Sequence, residues 1–270
     1  MNNILITGSS GFLGNRLLDT LKENHNCLGI SRTTGVDITK YDDLENIDFK
    51  ADVVVHAAAS LSNDIEESFR TNVLGALNIC KFIKERKIKH FIMISTVSIF
   101  KKIENGYFNS YGQSKKQAEE IAEIFCKEND IDLTILRFSQ IYDEKREAVK
   151  SQGMLYYFID TIRKNKNISI YGKKNPIRNY IHIKDVISVI KDVIENYNIG
   201  IFNVVNPKSH TISEIAYMIF DLINIKPNIK YLTEKEDILS IYIPSEHMYP
   251  NCIQFKDLKS GILEILSYEK

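Results

Sequence analysis

A turn with regularly spaced glycines constrains the fold more than any other feature of the chain. The segment Thr7-Gly8-Ser9-Ser10-Gly11-Phe12-Leu13-Gly14 lies between a predicted strand over residues 4–7 and a predicted helix over residues 13–24. The first glycine permits a tight turn, the second allows a ligand to approach the backbone closely, and the third lets the helix pack against the sheet. This pattern before a helix N-terminus predicts a site for the pyrophosphate of a dinucleotide, and the alternative is a purely structural glycine turn.

Short apolar runs alternate with longer amphipathic segments through the first half of the chain. Runs rich in β-branched residues predict strands, and apolar residues that recur every three or four positions predict helices. The later predicted strands are 27–31, 53–57, 91–95 and 133–137, and the helices between them are 66–86 and 111–127. Such alternation is typical of an α/β fold, here a Rossmann-type doubly wound parallel sheet with helices on both faces, which binds ligands at the carboxyl ends of its strands.

The pattern changes after about residue 140. The sequence predicts helices over 155–164, 184–197, 213–223 and 258–266, a turn over 171–176 and a strand over 201–205. We therefore predict an NAD(P)-binding domain of residues 1–142, to which residues 178–206 return. Residues 143–177 and 207–270 are predicted to form a smaller, partly interwoven C-terminal lobe that binds the substrate.

Charge and composition exclude several classes of protein. The 270 residues include 35 Lys and Arg against 35 Asp and Glu, and 44% are hydrophobic. Equal charge without a block of one sign argues against a surface that binds nucleic acid or an anionic membrane. The sequence shows no signal-peptide pattern, no run of about 18 apolar residues and no paired cysteine spacing, so we expect a cytoplasmic protein with free thiols. Its histidines lack metal-ligand spacing, so we expect no metal, with His56 and His182 structural.

A tyrosine and a lysine, Tyr111 and Lys115, lie one helical turn apart near the start of the predicted helix 111–127. The same spacing occurs at Tyr180 and Lys184 and at residues 231 and 235, so position decides between them. The first pair follows the fourth strand, whose carboxyl end carries Ser95 and Thr96, hydroxyls that could orient a carbonyl. An ammonium beside the phenol would lower the pKa of the phenol and make it a proton carrier.

The end of the second strand bears on the choice of cofactor. An acidic residue at this place would bind both hydroxyls of the adenosine ribose of NAD, but the sequence has Ser31-Arg32. An arginine would instead pair with the 2′-phosphate of NADP, so we expect NADP in preference to NAD. The alternative is an exposed arginine without a role. Asp37 could accept a hydrogen bond from the adenine amino group or cap the next helix.

These motifs together resemble the extended short-chain dehydrogenase/reductases, the NAD-dependent epimerase/dehydratase family, most of which modify nucleotide sugars. Besides the glycine turn and the Tyr-Lys pair, the similarity includes Thr71-Asn72-Val73 and the strand that ends at Thr96. It continues in Arg178-Asn179-Tyr180-Ile181-His182, which resembles an Arg-Asp-Phe-Ile-His segment whose arginine contacts the substrate diphosphate. The motifs stand in the family's order over nearly the whole chain.

The resemblance implies a role for each matching position. The implied catalytic residues are Thr96, Tyr111, Lys115 and Asn72, with Asn72 supporting Lys115 through a backbone or water link. The implied cofactor-binding residues are Gly8, Gly11, Phe12, Leu13, Gly14, Arg32, Asp37, Ile38, Ala57, Ala58, Ala59, Tyr111, Lys115 and Phe138. The implied substrate-binding residues are Ser60, Thr96, Gln140 and Arg178.

Three departures from the family pattern limit what it implies. Dehydratases carry Asp-Glu directly after the catalytic threonine, whereas this chain has Val97-Ser98, so we expect no 4,6-dehydration. The family's Asn-x-Tyr-Gly-Pro becomes Gln140-Ile141-Tyr142-Asp143-Glu144, with a longer amide and a different loop. An Arg-x-Gly-Asp segment is replaced by Lys235-Glu236-Asp237, so the resemblance does not imply the family's second diphosphate contact here.

The leading interpretation is an NADPH-dependent reductase of a 4-keto nucleotide sugar, with Tyr111 as the proton donor. The first alternative is a 4-epimerase with tightly bound NAD, and the second is a regulatory protein that binds the cofactor without chemistry. By resemblance we also expect a homodimer, in which helices 66–86 and 111–127 of two subunits form a four-helix bundle.

Overall fold

Strands and helices alternate strictly in the first half of the chain. The computed structural model describes residues 1–62, 64–100, 109–250 and 253–268. Its first elements are β1 (Asn3–Thr7), α1 (Phe12–Leu21), β2 (Asn26–Ile30), α2 (Tyr41–Glu45), β3 (Val53–His56), α3 (Ile65–Phe69), a π-helical turn (Arg70–Leu74), α4 (Gly75–Glu85), β4 (His90–Thr96), α5 (Ser110–Glu128) and β5 (Asp132–Phe138).

The second half combines short strands with four longer helices. Its elements are β6 (Gln140–Tyr142), α6 (Gly153–Arg163), β7 (Ile168–Tyr171), β8 (Ile177–Arg178), β9 (Tyr180–His182), α7 (Ile183–Asn196), β10 (Gly200–Val204), β11 (His210–Thr211), α8 (Ile212–Ile223), β12 (Ile229–Leu232) and α9 (Leu258–Tyr268). None of the helices in the described ranges is long and apolar enough to cross a membrane.

Six strands form one parallel sheet in the order β10-β5-β4-β3-β1-β2. The strand β1 pairs with β2 on one side and with β3 on the other, so the direction in which the strands are added reverses between β1 and β3. A parallel sheet leaves a crevice at such a reversal, beyond the carboxyl ends of the strands. The prediction of a doubly wound parallel sheet is confirmed, and the glycine turn lies at the mouth of this crevice.

Three apolar clusters hold the molecule together. One contains α1 and α7 against one face of the sheet, and the second contains α4 and α5 against the other face. The third joins α6, α8 and α9 with β7 and contains Tyr142, Tyr156 and Phe220 among its buried side chains. Apart from Tyr142 and Tyr180, the buried residues of this third core lie in the part of the chain for which we predict a substrate lobe, and that division remains a prediction.

The predicted helix 66–86 is one run of helix with a local change of geometry. The π-helical turn Arg70–Leu74 separates α3 from α4 and has Asn72 fully buried within it. A π-helical turn adds one residue to the helical repeat, which an apolar periodicity does not reveal. The short helix α2 and the two-residue strands β8 and β11 were also absent from the sequence prediction.

Candidate active site

The glycine turn connects β1 to α1 with no room for larger side chains at two of its positions. Gly8 has φ +71°, and a Cβ there would lie 2.7 Å from the backbone of Ala58. A Cβ on Gly14 would lie 2.2 Å from the carbonyl oxygen of Gly8. The helix α1 begins after Gly11 without a side-chain cap and without an acidic residue in its first turn. Its N-terminal N–H groups and positive dipole end therefore fit a diphosphate, as the sequence predicts for a dinucleotide cofactor.

The carboxyl ends of β1 and β3 are joined beside this turn. The Thr7 hydroxyl lies 2.8 Å from Nδ1 of His56 and accepts a hydrogen bond from the backbone N–H of Ala58. His56 is fully buried, and burial lowers the pKa of its imidazole to about 3, with the nearby Lys115 acting in the same direction. A neutral, enclosed imidazole agrees with the structural role expected for His56.

Arg32 extends from the end of β2 on a fixed backbone. It is exposed at the start of a short 3₁₀ turn, Arg32–Thr34, which Ser31 and Thr34 cap reciprocally. Asp37 follows, and one of its carboxylate oxygens accepts hydrogen bonds from both the backbone N–H and the hydroxyl of Thr39. Burial opposes ionisation of Asp37, but these hydrogen bonds and the charge of Arg32 hold the pKa of the carboxyl below its usual value. Asp37 thus caps a local turn, and the cap position of α2 belongs to Lys40.

A cavity of about 520 Å³ lies at the carboxyl ends of β1, β3, β4 and β5. The sequence-predicted residues that line it are Gly8, Gly11, Phe12, Leu13, Gly14, Ala57, Ala59, Thr96, Tyr111, Lys115, Phe138, Gln140 and Arg178. Predicted residues outside its lining are Arg32, Asp37, Ile38, Ala58, Ser60 and Asn72. The crevice thus brings together three of the four predicted catalytic side chains, all but Asn72, and most of the predicted cofactor positions.

Tyr111 and Thr96 are placed in this cavity by close packing of α5 on the end of β4. Asn109 caps α5 by accepting a hydrogen bond from the backbone N–H of Gly112. A Cβ on Gly112 would lie 2.3 Å from the carbonyl oxygen of Ser98, so only glycine allows the helix to approach the turn after β4. The Thr96 hydroxyl oxygen accepts the backbone N–H of Ser98, which leaves the hydroxyl proton available to a ligand.

Lys115 is the most deeply buried cation of the cavity, with 2% of its surface exposed. Burial lowers the pKa of its ammonium to about 8, although Glu119, one turn along α5, favours the charged form. Glu119 itself is held by Arg137 through a salt bridge of 2.7 Å. The site therefore keeps a positive charge near Tyr111 at neutral pH at a cost in desolvation.

Asn72 connects the loop after β3 to helix α5. Its amide oxygen accepts the backbone N–H of Ser60, and its amide nitrogen donates to the carbonyl of Ser60 and to the hydroxyl of Ser114. Ser114 precedes Lys115 on α5, and the expected support of Lys115 by Asn72 remains a prediction. The Ser60 hydroxyl donates to Glu67, 3.2 Å away.

The opposite wall contains Gln140 and Arg178, the remaining predicted substrate-binding residues. The Arg178 guanidinium donates to the carbonyls of Ile177 and Leu239 and is 9% exposed. Gln140 donates through its amide nitrogen to Gln152, and its amide oxygen is buried without a partner in the described chain.

Several lining residues were missed by the sequence reasoning. Ser139 follows the carboxyl end of β5, and its buried hydroxyl has no partner among the described residues. Its position after a strand was a usable signal, since such strand ends carry ligand contacts. Lys150 and Gln152 stand in no motif, and only the fold brings them to the cavity.

One cluster outside the cavity has the composition of a metal site. His182 Nε2 lies 3.4 Å from Glu144 and 3.6 Å from Glu264. Lys184 lies 3.7 Å from both carboxylates, and Lys256 pairs with Glu264. Two ammonium groups thus balance two carboxylates, and His182 Nδ1 accepts the backbone N–H of Lys184, which leaves the ring proton on Nε2. These contacts describe an ion-pair network, and the expectation of no metal remains a prediction.

The fold and this cavity define an enzyme of the dinucleotide-binding α/β class. The model of the NAD dependent epimerase/dehydratase family matches residues 4–205, and the chain therefore belongs to that family. The chain is 28% identical to the CDP-abequose synthase of Salmonella muenchen over 79% of this chain and 83% of the relative. The resemblance found in the sequence is thereby confirmed.

Solved structures of both expected kinds share the fold. One is the UDP-glucose 4-epimerase of Thermus thermophilus in complex with NAD, with a TM-score of 0.79, 17% identity and 98% of both chains covered. Another is the dTDP-4-dehydrorhamnose reductase of Bacillus anthracis in complex with NADP, with a TM-score of 0.78, 22% identity and all of both chains covered. At these identities the likeness shows the architecture, and it does not choose between an epimerase and a reductase.

Proposed function

We propose that the protein reduces the 4-keto group of a nucleotide sugar with NADPH. The observation that carries this proposal is the make-up of the cavity, which combines Thr96 and Tyr111 with three cations, Lys115, Lys150 and Arg178. Its described lining contains no carboxylate. A cationic cavity suits an anionic ligand, and the hydroxyl and phenol suit proton transfer to a carbonyl oxygen.

The missing carboxylates also separate this site from a dehydratase. Val97 and Ser98 line the cavity directly after Thr96, at the positions where the family's dehydratases carry Asp and Glu. Neither side chain can remove a proton from carbon and protonate a departing hydroxyl, which loss of water from the sugar requires. Reduction needs only one proton donor, and Tyr111 supplies it.

Thr96, Tyr111 and Lys115 divide the chemistry among them in this proposal. A bound reduced nicotinamide supplies the hydride that the carbonyl carbon receives. Thr96 donates its hydroxyl proton in a hydrogen bond to the carbonyl oxygen, and Tyr111 transfers its phenolic proton to that oxygen as negative charge develops. The Lys115 ammonium favours the release of this proton, since it stabilises the resulting phenolate.

NADPH is proposed in preference to NADH because of Arg32. The 3₁₀ turn after β2 holds this exposed guanidinium at the strand end, and residues 31–36 contain no carboxylate to bind the ribose hydroxyls of NAD. The described cysteines are free thiols, in agreement with the cytoplasmic location that we propose.

A 4-epimerase with tightly bound NAD is the second candidate. The architecture is shared with a UDP-glucose 4-epimerase, and the same three residues would pass a proton in both directions. A regulatory protein without chemistry is the third candidate, but Thr96, Tyr111 and Lys115 all line one cavity, which favours catalysis.

Cofactor demand distinguishes these functions. Purified protein is titrated with NADPH and NADH, then with UDP-, GDP-, dTDP- and CDP-linked 4-keto sugars, while the absorbance of the reduced nicotinamide is followed. A reductase oxidises one NADPH for each sugar reduced. Interconversion of sugar epimers without net oxidation supports the epimerase, and neither reaction on any substrate supports the regulatory protein.

We also propose a homodimer in which each subunit contributes two helical runs to a four-helix bundle. One run is α3, the π-helical turn and α4, and the other is α5. These two runs expose three large apolar side chains, namely Ile65 on α3, Leu74 in the π-helical turn and Ile124 on α5. Burial of such residues between two subunits would stabilise a four-helix bundle. Light scattering of the purified protein measures the mass, and a monomer at micromolar concentration contradicts this assembly.

A further inference from the structure

The cavity contains a cation to which neither the sequence motifs nor the family resemblance assigns a role. Lys150 ends a 3₁₀ turn, Glu147–Lys150, and is exposed at the cavity wall three residues before α6 begins. It forms no ion pair with any residue in the described ranges. An uncompensated ammonium at the wall of a ligand cavity attracts an anion.

The C-terminal segment of this chain lacks a contact to the substrate diphosphate that the family pattern would give it. The segment that carries Arg-x-Gly-Asp in the family has Lys235-Glu236-Asp237 here, and these residues do not line the cavity. The Asp237 carboxylate instead accepts the backbone N–H groups of Lys173 and Lys174 and stabilises a turn. From residues 233–250, only Ile241 lines the cavity, so this segment supplies no charge there.

Hydrogen bonds to a buried carboxylate and a bidentate ion pair hold residues 143–150, the segment that ends in Lys150. Asp143, fully buried, stands where the family has glycine, and its carboxylate accepts the backbone N–H groups of Lys145, Glu147 and Ala148. Arg16 of α1 binds the Glu147 carboxylate through two hydrogen bonds of 3.0 and 3.1 Å. A cation on a pre-ordered segment loses less conformational entropy when it binds.

The position of Lys150 favours the substrate over the cofactor as its ligand. Gln152, two residues along, accepts a hydrogen bond from the amide nitrogen of Gln140, and both residues line the cavity together with Arg178. The N-terminus of α1, with its N–H groups and positive dipole end, would hold the diphosphate of the cofactor, so that group would not require Lys150.

We propose that Lys150 binds the diphosphate of the nucleotide-sugar substrate together with Arg178, and replaces the contact that the C-terminal segment lacks. A diphosphate carries about two negative charges, which two cations on neighbouring parts of one wall can balance. This inference rests on the proposed function, because it requires a substrate that contains a diphosphate.

Lys150→Met tests the contact, with Lys150→Arg as the rescue and Lys145→Met as the control. Lys145 is exposed in the same segment and lies outside the cavity, so its replacement removes the same charge. Binding of UDP, dTDP, CDP, GDP and NADPH is measured by calorimetry, and the KM and kcat of each variant are measured with the active nucleotide sugar.

For Lys150→Met we expect about a tenfold loss in affinity for the nucleoside diphosphate and a similar rise in KM, which corresponds to about 1.4 kcal/mol. We expect kcat and NADPH affinity to stay within about twofold of wild type, and Lys150→Arg to recover most of the loss. Affinity equal to that of Lys145→Met, or a loss confined to NADPH, overturns the inference. If wild-type protein is active while Lys150→Met is unchanged, the inference alone fails; if wild type neither binds a nucleoside diphosphate nor reduces a nucleotide sugar, the proposed function fails with it.

Discussion

The buried ammonium of Lys115 should make the protein less stable than it would be without that charge. Its pKa falls from 10.5 to about 8 because burial removes the ammonium from water. A lowering of this size corresponds to a free-energy cost of about 3 kcal/mol at neutral pH. Because the ammonium lines an open cavity rather than a closed core, we expect the realised cost to be nearer about 2 kcal/mol.

The substitution Lys115→Met keeps the length of the side chain and removes its charge. In the absence of cofactor, the free energy of unfolding at pH 7 should rise by about 2 kcal/mol, while turnover is lost. Urea unfolding followed by far-ultraviolet circular dichroism measures this, since the chain contains no tryptophan to report by fluorescence.

The pH dependence of the free energy of unfolding independently tests whether the buried Lys115 ammonium causes this loss of stability. The folded-state pKa lies below the unfolded value, so between about pH 8 and 10.5 the unfolded wild-type chain binds the extra proton. Wild-type stability should therefore rise relative to that of the variant across this window, and the advantage of Lys115→Met should shrink. A variant no more stable than wild type at pH 7, or a difference that stays constant up to pH 10.5, refutes the reasoning.

Two further substitutions test the cofactor site. Gly14→Ala would place its Cβ 2.2 Å from the carbonyl oxygen of Gly8, so we expect a loss of about 2 kcal/mol or more in stability and loss of NADPH binding, measured by urea unfolding and calorimetry. Unchanged NADPH affinity would contradict the proposed place of the diphosphate. Arg32→Asp should weaken NADPH binding at least about tenfold and leave NADH binding equal or tighter, since the 2′-phosphate loses its cation and the ribose hydroxyls gain an acceptor. Equal losses for both cofactors would show that Arg32 does not read the phosphate.

The sequence predicted the cofactor side of the crevice because its signals are local. The glycine turn lies within eight residues, and steric limits at Gly8 and Gly14 explain why those positions are glycine. The pair Tyr111 and Lys115 is one turn of one helix, and the fourth strand could be placed directly before it. For such features, the spacing of the residues in the sequence largely determines their relative positions in the fold.

The sequence named Gln140 and Arg178 on the opposite wall, but the place of Lys150 beside them could not be predicted, because distant contacts create it. Lys150 lies at the cavity because its segment is held by two sets of contacts. Asp143 accepts backbone N–H groups within the segment, and Arg16 of α1, more than 100 residues earlier, binds Glu147. The buried position of Asn72 likewise depends on one π-helical turn within an otherwise regular pattern. Neither arrangement produces a periodic pattern of residues from which it could be predicted.

The proton-transfer role of Tyr111 is the centre of the proposed mechanism, and Tyr111→Phe tests it most directly. This substitution removes one hydroxyl and keeps the ring that lines the cavity. With the 4-keto nucleotide sugar that wild type reduces, we predict that kcat falls by about 10²- to 10⁴-fold while the affinity for NADPH stays within about twofold. Turnover by Tyr111→Phe at the wild-type rate would contradict the account.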